Sequence, residues 1–406
     1  MPAPSEQIVD LTPDANGDRI AVVEKGEVSY LPAMRVDIGA THTGSSGSCR
    51  YIRRAGNGDL YLTGPTLERT MFRSSDNGKS WSGRNYELGM ERWDLARMPR
   101  DSEMGWIAAF TILQDDTFLI NVMPSNHRRN TASYIARSTD CGGTWSVEPM
   151  ELPLGSHRSV AGGNSDMIEL ADGTLLLTMD LFFYEEMDRE HLLPVEHQGV
   201  FAHVLRSADG GRTWPEKSIL TLHGAEAHLL QLPSGKLLSA IRRQRNIRLP
   251  GDPEDVVTVM RANGYTPEYN GYEEPIEAST AFFKSVFVSE SGDAGRTWVN
   301  ERRVSGYEQC SGELTLLADG STLVLTYDCR YNDRFARAGV RARVSYDLGE
   351  TWEPEEYILG EGENYPGGIA MADGTLITSC PYRDHGPIQA LHWKPRPPRG
   401  SAASRA

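Results

Sequence analysis

The octapeptide SSDNGKSW at residues 74–81 is the most informative part of the sequence about the fold, because the chain repeats its pattern four more times. The other copies are STDCGGTW (138–145), SADGGRTW (207–214), SGDAGRTW (291–298) and SYDLGETW (345–352). In each copy the Asp carboxylate can accept main-chain N–H bonds across a tight turn, and the Gly supplies a positive φ. The Ser or Thr can bridge locally, and the Trp can cover a sheet edge with apolar surface. The repeat therefore predicts a structural turn and not a catalytic element.

A second repeat, in which a glycine turn joins two apolar strands, precedes each octapeptide. Apolar alternation around Asp-Gly, Asn-Gly or Ser-Gly is typical of a β-hairpin. The copies lie at 51–64, 166–180, 229–243, 314–328 and 368–379, with a degenerate copy at 95–110. Because an octapeptide follows each of the first five hairpins, it is expected to join the last two strands of a four-stranded unit. Irregular spacing between the octapeptides places insertions in the loops.

Six hairpins and five octapeptide turns predict an all-β chain, a six-bladed β-propeller with four-stranded antiparallel blades. Radial closure would remove the exposed sheet edges, with an N-terminal strand completing the last blade. Two segments, AVVEKGEVSYL (21–31) and VDIGATHTG (36–44), are candidates for that strand. We predict a single propeller domain over residues 1–400 and a disordered tail at 401–406.

Two insertions interrupt the repeats. The longer one, 244–280, is rich in Tyr, Pro and acidic residues, and loops of this length are usually functional or disordered. A lid over the propeller mouth, an oligomer contact and plain disorder all fit it. The shorter one, 182–199, is expected to be helical and to decorate the same rim.

Composition excludes several classes of partner. The 406 residues are 39% hydrophobic and 24% charged, and the formal net charge of −15 disfavours nucleic acid and anionic lipid. The five cysteines show no CxxC spacing, which favours free thiols. We expect a cytoplasmic protein, or a secreted one if a leader was trimmed, with no membrane span. Neither an HExxH motif nor a calcium-loop Glu is present, so we expect no metal and no cofactor.

On these repeats the sequence resembles the sialidase (neuraminidase) superfamily of Asp-box, or BNR-repeat, propellers over residues 40–395. The resemblance implies a pocket where three arginines hold a substrate carboxylate, a Tyr with a Glu partner attacks, and an Asp is the acid/base. Guanidinium forks suit a planar anion, and a neutral phenol is not repelled by the substrate's own carboxylate.

The resemblance implies roles for particular arginines. Arg50, eight residues before Gly58, corresponds to the first of the three, and Arg53 is its alternative. Arg242 corresponds to the second. Arg337 corresponds to the third, with Arg341 and Arg343 as rivals in RFARAGVRARVSYDLGETW.

The other implied residues are a nucleophile, its base and an acid. Tyr365, just before the last glycine turn, falls in the nucleophile's place, and Glu226 precedes Arg242 at the family's spacing. The family's acid/base Asp has no counterpart ahead of the first octapeptide. Glu68 is the only carboxylate in that segment, and Asp94 is a second candidate.

The function implied is an exo-α-glycosidase of sialidase type that releases a terminal acidic sugar, sialic acid or a related keto-deoxy acid, from glycans. One alternative is an enzyme of the same fold with another specificity, either a different exo-glycosidase or a uronate lyase. A lyase would need a base such as a histidine, although loops or strand edges are expected for the candidates His42, His127, His157, His223 and His228. Another alternative is a non-catalytic glycan-binding propeller. The expected partner is a carbohydrate, and a homo-oligomer is left open.

Overall fold

The computed structural model of the chain describes seventeen segments. Within them, no helix is long and apolar enough to cross a membrane. The segments are 19–24, 27–35, 39–46, 50–64, 70–85, 106–123, 132–155, 159–161, 165–182, 201–221, 224–243, 285–306, 309–329, 339–353, 355–361, 365–381 and 387–398. The predicted insertion 244–280, the tail 401–406 and all but the first residue of 182–199 lie outside these segments.

The described residues are almost entirely β-strand and turn. In chain order the strands are β1 (Arg19–Glu24), β2 (Glu27–Arg35), β3 (Gly39–Ser46), β4 (Tyr51–Arg54), β5 (Leu60–Thr63), β6 (Thr70–Ser74), β7 (Ser82–Asn85), β8 (Trp106–Ile112), β9 (Phe118–Met123), β10 (Ser133–Ser138), β11 (Ser146–Met150), β12 (Ser159–Ala161), β13 (Met167–Glu169), β14 (Leu175–Phe182), β15 (Phe201–Ser207), β16 (Glu216–Thr221), β17 (Gly224–Gln231), β18 (Leu237–Arg243), β19 (Ser285–Ser291), β20 (Val299–Arg303), β21 (Gln309–Leu316), β22 (Leu323–Cys329), β23 (Gly339–Ser345), β24 (Glu356–Glu361), β25 (Gly367–Ala370), β26 (Leu376–Pro381) and β27 (Pro387–Trp393). The all-β prediction is confirmed.

Antiparallel meanders build the sheets. Strands β4–β7 and β8–β11 each form a four-stranded sheet, and β12–β16 form a five-stranded one. In a larger sheet, β17–β20 and β21–β24 follow one another, linked by a single parallel pairing of β19 with β21, and β1 and β2 extend its far edge. Strands β25–β27 complete their sheet with β3. The segment 36–44 thus holds the N-terminal closing strand, whereas 21–31 lies in the β1–β2 hairpin, so that alternative was wrong.

The first strands of successive meanders lie side by side around one axis. Strand β4 contacts β8, β8 contacts β13, β13 contacts β17, β17 contacts β21, β21 contacts β25, and β25 returns to β4. Such an arrangement is that of a β-propeller. The blade number of six stays a prediction, because one continuous sheet contains β17–β24.

The hydrophobic core lies between neighbouring sheets. Tyr61 of β5, for example, packs edge-on against Phe118 of β9, with the ring centroids 4.7 Å apart. Further clusters fill the spaces between later pairs of sheets, such as the one that joins Leu176 of β14 to Leu229 of β17. Each meander therefore buries its apolar side chains against the next one, and none has a closed core of its own.

The octapeptides form the turns between the third and fourth strands, and they share one hydrogen-bond pattern. At Asp209, Oδ1 accepts bonds from Ser207 Oγ (2.7 Å) and Thr213 N (2.9 Å), while Oδ2 accepts one from Thr213 Oγ1 (2.6 Å). Equivalent bonds recur at Asp76, Asp140, Asp293 and Asp347. These hydrogen bonds lower the pKa of Asp140 to about 2, and the bond from the Thr144 N–H is the largest cause.

These turns also fasten adjacent sheets together. Arg137 on β10 donates to the carbonyl of Gly210 in the next turn (2.5 Å), and Arg206 on β15 likewise donates to Ala294. Thr41 of β3 donates to Gly78 (2.7 Å), so the first turn is bound to the closing strand. The repeated octapeptide is therefore a structural turn that links adjacent sheets, and the structural role predicted from its residues is confirmed.

Candidate functional site

Three successive first strands, β17, β21 and β25, have a non-glycine residue in the left-handed region within three residues of their start. The φ angles are 55°, 56° and 54°, and each residue lies nine positions before its own turn glycine: Glu226 before Gly235, Ser311 before Gly320 and Tyr365 before Gly374. Such backbone costs about 1 kcal/mol or more for an L-residue and is concentrated at functional sites. Equivalent positions in adjacent strands bring these residues to the same end of the propeller axis.

Tyr365 and Glu226 form the centre of the site. The Tyr365 hydroxyl donates a hydrogen bond of 2.7 Å to Glu226 Oε1, although the residues are far apart in sequence. The other carboxylate oxygen, Oε2, lies 2.7 Å from Arg242 Nη1. Arg242 reaches this point because β18 pairs Arg242 with Ala225, the residue before Glu226. The sequence-predicted nucleophile, base and second arginine are thus in contact.

Arg50 also contacts this group. Its Nη2 donates to the carbonyls of Glu226 (3.4 Å) and Gly312 (3.5 Å), and its guanidinium carbon is 6.0 Å from the centre of the Tyr365 ring. The side chain is only 1% exposed. Arg50 therefore supports the main chain that carries the base.

A set of ionisable residues, the axial charge cluster, lies next to Arg50, and all of its members except Arg53 are buried. It consists of Arg53, Asp166, His228 and Glu313, which come from four different first strands or their N-terminal ends. Arg53 Nη2 is 2.7 Å from Asp166 Oδ1, and its Nη1 is 3.9 Å from Glu313 Oε1. His228 Nε2 lies 3.3 Å from Asp166 Oδ2 and 3.6 Å from Glu313 Oε1.

His228 has a defined tautomer in this cluster. The Leu314 N–H donates to His228 Nδ1 (3.2 Å), so the ring hydrogen is on Nε2 and points at Asp166. Burial lowers the pKa of His228 to about 4, despite the nearby Asp166 charge. The expectation that His228 lies in a loop or at a strand edge was wrong: it lies within β17 and is buried. With both nitrogens engaged, this histidine is poorly suited to act as a base.

The two carboxyl groups of the cluster behave differently. Burial raises the pKa of Glu313 to about 7, and Arg53 and Arg50 oppose that rise only in part. Burial also acts to raise the pKa of Asp166, but His228, Arg53 and the N–H of Leu229 outweigh it and the pKa falls. Glu313 therefore exchanges a proton near neutral pH, whereas Asp166 stays ionised.

A third buried carboxyl group lies beside the base. Asp180, near the end of β14, is 6% exposed, and its carboxyl group is close enough to Glu226 to feel its charge. Burial, followed by the charge of Glu226, raises the pKa of Asp180 well above the ordinary value.

Among the described residues, no His, Cys, Asp and Glu side chains are arranged to hold a metal ion.

The remaining predicted residues separate into two groups. Arg341 was a candidate for substrate binding, yet it lies in β23, two strands from the axis, where it is buried 3.2 Å from Glu356 Oε2. This assignment is corrected: the third strand of a meander points its buried side chains into the core. Arg343 similarly donates to the carbonyls of Val304 and Glu353. The others lie outside the described residues: Glu68, Asp94, Arg337, His127, His157 and His223.

Sequence reasoning missed Asp166, Asp180 and Glu313, although a positional signal exists. Asp166 and Glu313 each lie seven residues before a turn glycine, as His228 does. Asp180 lies five residues after the leucine that begins β14, and Arg242 has the same place in β18. Superimposing the hairpins on their glycines would have exposed both sets.

No protein-family model matches the sequence, and no curated protein matches it either. Solved structures do match. A protein of unknown function from Dyadobacter fermentans is 15% identical with a TM-score of 0.59, and the match covers 89% of this chain and 99% of that one. The Hadza microbial sialidase Hz136 is 18% identical, with a TM-score of 0.55 and coverage of 87% and 66%. An α-L-arabinofuranosidase from Fusarium graminearum, solved with an iminosugar inhibitor, is 12% identical, with a TM-score of 0.51 and coverage of 93% and 98%.

The propeller fold is shared. At these identities the likeness shows the fold alone. The chain spans just under two thirds of the length of the Hadza sialidase. It spans almost the whole length of the arabinofuranosidase and of the Dyadobacter protein. The sialidase and the arabinofuranosidase act on different sugars, so the chemistry of this chain must be argued from its own site.

Proposed function

We propose that this protein is a propeller glycoside hydrolase that releases a terminal acidic sugar, with Tyr365 as nucleophile and Glu226 as its base. The observation that carries the proposal is the 2.7 Å hydrogen bond from the Tyr365 hydroxyl to Glu226 Oε1. A phenol becomes a useful nucleophile when an adjacent carboxylate takes its proton. The six-bladed arrangement predicted from the hairpins belongs to the same proposal.

The chemistry follows from this pair. The Tyr365 oxygen attacks the anomeric carbon while its proton passes to Glu226 Oε1. The bond from that carbon to the leaving oxygen breaks, and the leaving group takes a proton from an acid, for which the sequence offers Glu68 and Asp94. Water then cleaves the tyrosyl–sugar bond, and the sugar is released with retained configuration.

Recognition of an acidic sugar is supported by the positive charge beside the pair. The side chains of Arg242 and Arg53 are 13% and 17% exposed, so their guanidinium groups border the site without being sealed in the core. Both are close to carboxylates of the protein, and a ligand carboxylate would compete for the same donors. Arg337 is proposed as a third arginine from the sequence alone.

A neutral sugar is the second candidate, and the position of Arg50 favours it. That guanidinium is buried and donates to main-chain carbonyls, so it offers less to a ligand anion than the resemblance implies. The fold shared with an α-L-arabinofuranosidase is compatible with this reading. His228 gives a lyase no support, since both of its ring nitrogens are engaged by Leu314 and Asp166.

The test is a panel of 4-methylumbelliferyl glycosides containing sialic acid, its deaminated analogue, uronic acids and neutral sugars. Hydrolysis of a keto-deoxy acid glycoside, with kcat reduced about 1,000-fold or more in Tyr365→Phe, supports the proposal. Tyr346→Phe is the matched control, because Tyr346 lies in the last octapeptide turn and bonds to Arg396. Turnover of neutral sugars alone would support the second candidate and refute the first. An unsaturated product would indicate a lyase.

A further inference from the structure

Buried side chains near the axis accept main-chain N–H groups of the next first strand in a regular series. Among the described residues three such bonds occur: Asp166 Oδ2 accepts from Leu229 N (3.0 Å), His228 Nδ1 from Leu314 N (3.2 Å) and Glu313 Oε1 from Gly368 N (3.0 Å). Each acceptor lies seven residues before the turn glycine of its own hairpin, and each donor lies six residues before that of the next. An N–H on the inner side of a first strand is outside its ladder and needs such an acceptor.

The last bond of the series holds the strand that carries Tyr365. Strand β25 lies at the inner edge of its sheet, where the described residues pair it with β26. Only Pro366 and Gly367 separate Tyr365 from Gly368, and the fixed φ of proline stiffens this connection. A Cβ at Gly367 would overlap the Arg50 carbonyl oxygen, so the segment is already packed tightly against the start of β4. A displacement of Gly368 is therefore passed on to Tyr365.

Glu313 offers its acceptor from a fixed place. The regular pairing of β21 with β22 resumes at Glu313, opposite Thr326, after a β-bulge. Arg50 Nε and Arg53 Nη1 each lie 3.9 Å from an oxygen of the Glu313 carboxyl group, and His228 Nε2 lies 3.6 Å away. The side chain is 2% exposed. A carboxyl group enclosed in this way has little freedom to follow a moving partner, so its bond to β25 sets where that strand lies.

The distance between β21 and β25 matters because the Tyr365–Glu226 pair spans it. Strand β21 contacts β17 on one side and β25 on the other, and Ser311 occupies in β21 the place that Glu226 and Tyr365 have in their own strands. The 2.7 Å hydrogen bond from the Tyr365 hydroxyl to Glu226 thus crosses the width of β21. A misplacement of about 1 Å is enough to lower a rate about 100-fold.

We propose that Glu313 is a positioning residue for Tyr365: by accepting the N–H of Gly368 it holds β25 against β21, which keeps the Tyr365 hydroxyl within hydrogen-bond distance of Glu226. The kinetic consequence rests on the proposed function, whereas the geometric consequence does not. Glu313 acts through β25 and is not a catalytic residue. The position requires an oxygen acceptor, and a negative charge is not needed.

The experiment compares Glu313→Gln with Glu313→Leu in the full chain. Glutamine keeps an oxygen acceptor at the same place, so kcat is expected to stay within about threefold of wild type. Leucine offers no acceptor to the Gly368 N–H, and kcat is expected to fall about 100-fold with KM changed little. Glu169→Leu is the matched control, because Glu169 Oε2 accepts the N–H of Gln114 (2.7 Å) in a bond of the same kind at the turn end of β13. This control is expected to keep the wild-type kcat.

A second pair of variants changes the spacing of the strands without changing any charge. A Cβ at Gly368 would overlap Thr315 Oγ1 on β21, whereas Thr315 Cβ is 3.6 Å away. Gly368→Ala should therefore push β25 away from β21 and lower kcat about tenfold or more, and adding Thr315→Ala should restore it. Thr315 Oγ1 makes no hydrogen bond within the described part of the chain, so Thr315→Ala alone should behave like wild type.

Crystal structures of the variants give a measurement that does not depend on hydrolysis. The distance from the Tyr365 hydroxyl to Glu226 Oε1 is 2.7 Å in the unsubstituted chain. It should exceed about 3.5 Å, the limit of a hydrogen bond, in Glu313→Leu and in Gly368→Ala. In Glu313→Gln and in the double variant of Gly368 and Thr315 it should return to the wild-type value.

The outcomes separate the two proposals. If the wild type hydrolyses no glycoside but the distance lengthens in Glu313→Leu and not in Glu313→Gln, the positioning role stands and the glycosidase proposal fails. If Glu313→Leu keeps both the wild-type distance and the wild-type kcat, the positioning role is refuted. It is also refuted if Glu313→Gln is as impaired as Glu313→Leu, because the charge would then be what matters. If Glu313→Leu does not fold, an unchanged distance in Gly368→Ala refutes the role, and a longer one that Thr315→Ala restores supports it.

Discussion

Replacing Glu313 by Gln should change how stability depends on pH, because Glu313 is buried among charges that do not fully offset its own. The carboxyl group lies between Arg50, Arg53, His228 and Asp166, and it accepts the N–H of Gly368. Glutamine has nearly the same size and keeps an acceptor for that N–H. The substitution therefore removes the titration while retaining most of the packing.

The magnitude follows from the pKa of Glu313, which is about 7 in the folded protein against 4.5 for the ordinary group. That difference corresponds to about 3 kcal/mol. Because the folded pKa is the higher one, the folded state holds the proton more tightly. The stability that the protonated carboxyl group contributes is fully present below pH 4.5 and is lost as the pH rises through about 7.

The measurement is urea unfolding of wild type and Glu313→Gln from about pH 4.5 to about pH 7.5, expressed as the difference in unfolding free energy. The wild type should lose about 3 kcal/mol relative to the variant across this range. Glu148→Gln, at an exposed position on β11, is the control, and its difference from wild type should stay level. A level difference for Glu313→Gln as well would refute the reasoning, since it would mean that Glu313 is solvated or fully neutralised.

Three further outcomes are expected. His228→Gln should show the opposite slope: burial lowers the pKa of His228 from 6.5 to about 4, so wild type should gain about 3 kcal/mol over the variant as the pH rises from 4 to 6.5, measured by urea unfolding with the pH series extended down to about 4. Asp209→Ala should cost about 1 to 3 kcal/mol in urea unfolding, because Ser207 and Thr213 lose their shared acceptor; an unchanged midpoint would contradict the fastening role of the octapeptide. Gly367→Ala should destabilise by about 1 to 3 kcal/mol and displace Tyr365, since the new Cβ would lie 2.0 Å from the Arg50 carbonyl oxygen, whereas Gly292→Ala, with nothing within 4 Å of its Cβ, should melt like wild type.

The local parts of this fold can be predicted from the sequence because they are made by residues close together in the chain. The bonds of Asp209 reach only two residues back and four residues forward, so the octapeptide alone specifies them. The closing strand is harder to predict: 21–31 and 36–44 have similar patterns, and only the pairing of β3 with β27 distinguishes them.

The candidate site could be predicted only in part, because its members come from several sheets. Glu226, Arg242 and Tyr365 follow from a resemblance in spacing, and they do meet. The burial of Arg50 could not be predicted, since it depends on where the Glu226 and Gly312 carbonyls lie. Arg341 and Arg343 could not be separated from Arg337 in the sequence, because arginines that lie close together in one segment look alike until the neighbouring strands are known.

The sheet made of β25, β26, β27 and β3 has a consequence for biosynthesis. Strand β3 leaves the ribosome before β4 to β26, whereas its partner β27 leaves after them. Until then β3 lacks its strand partner and presents an unpaired edge. Nascent chains stalled before β27 should accordingly bind chaperones, and completion of that single strand should release them as the ring closes.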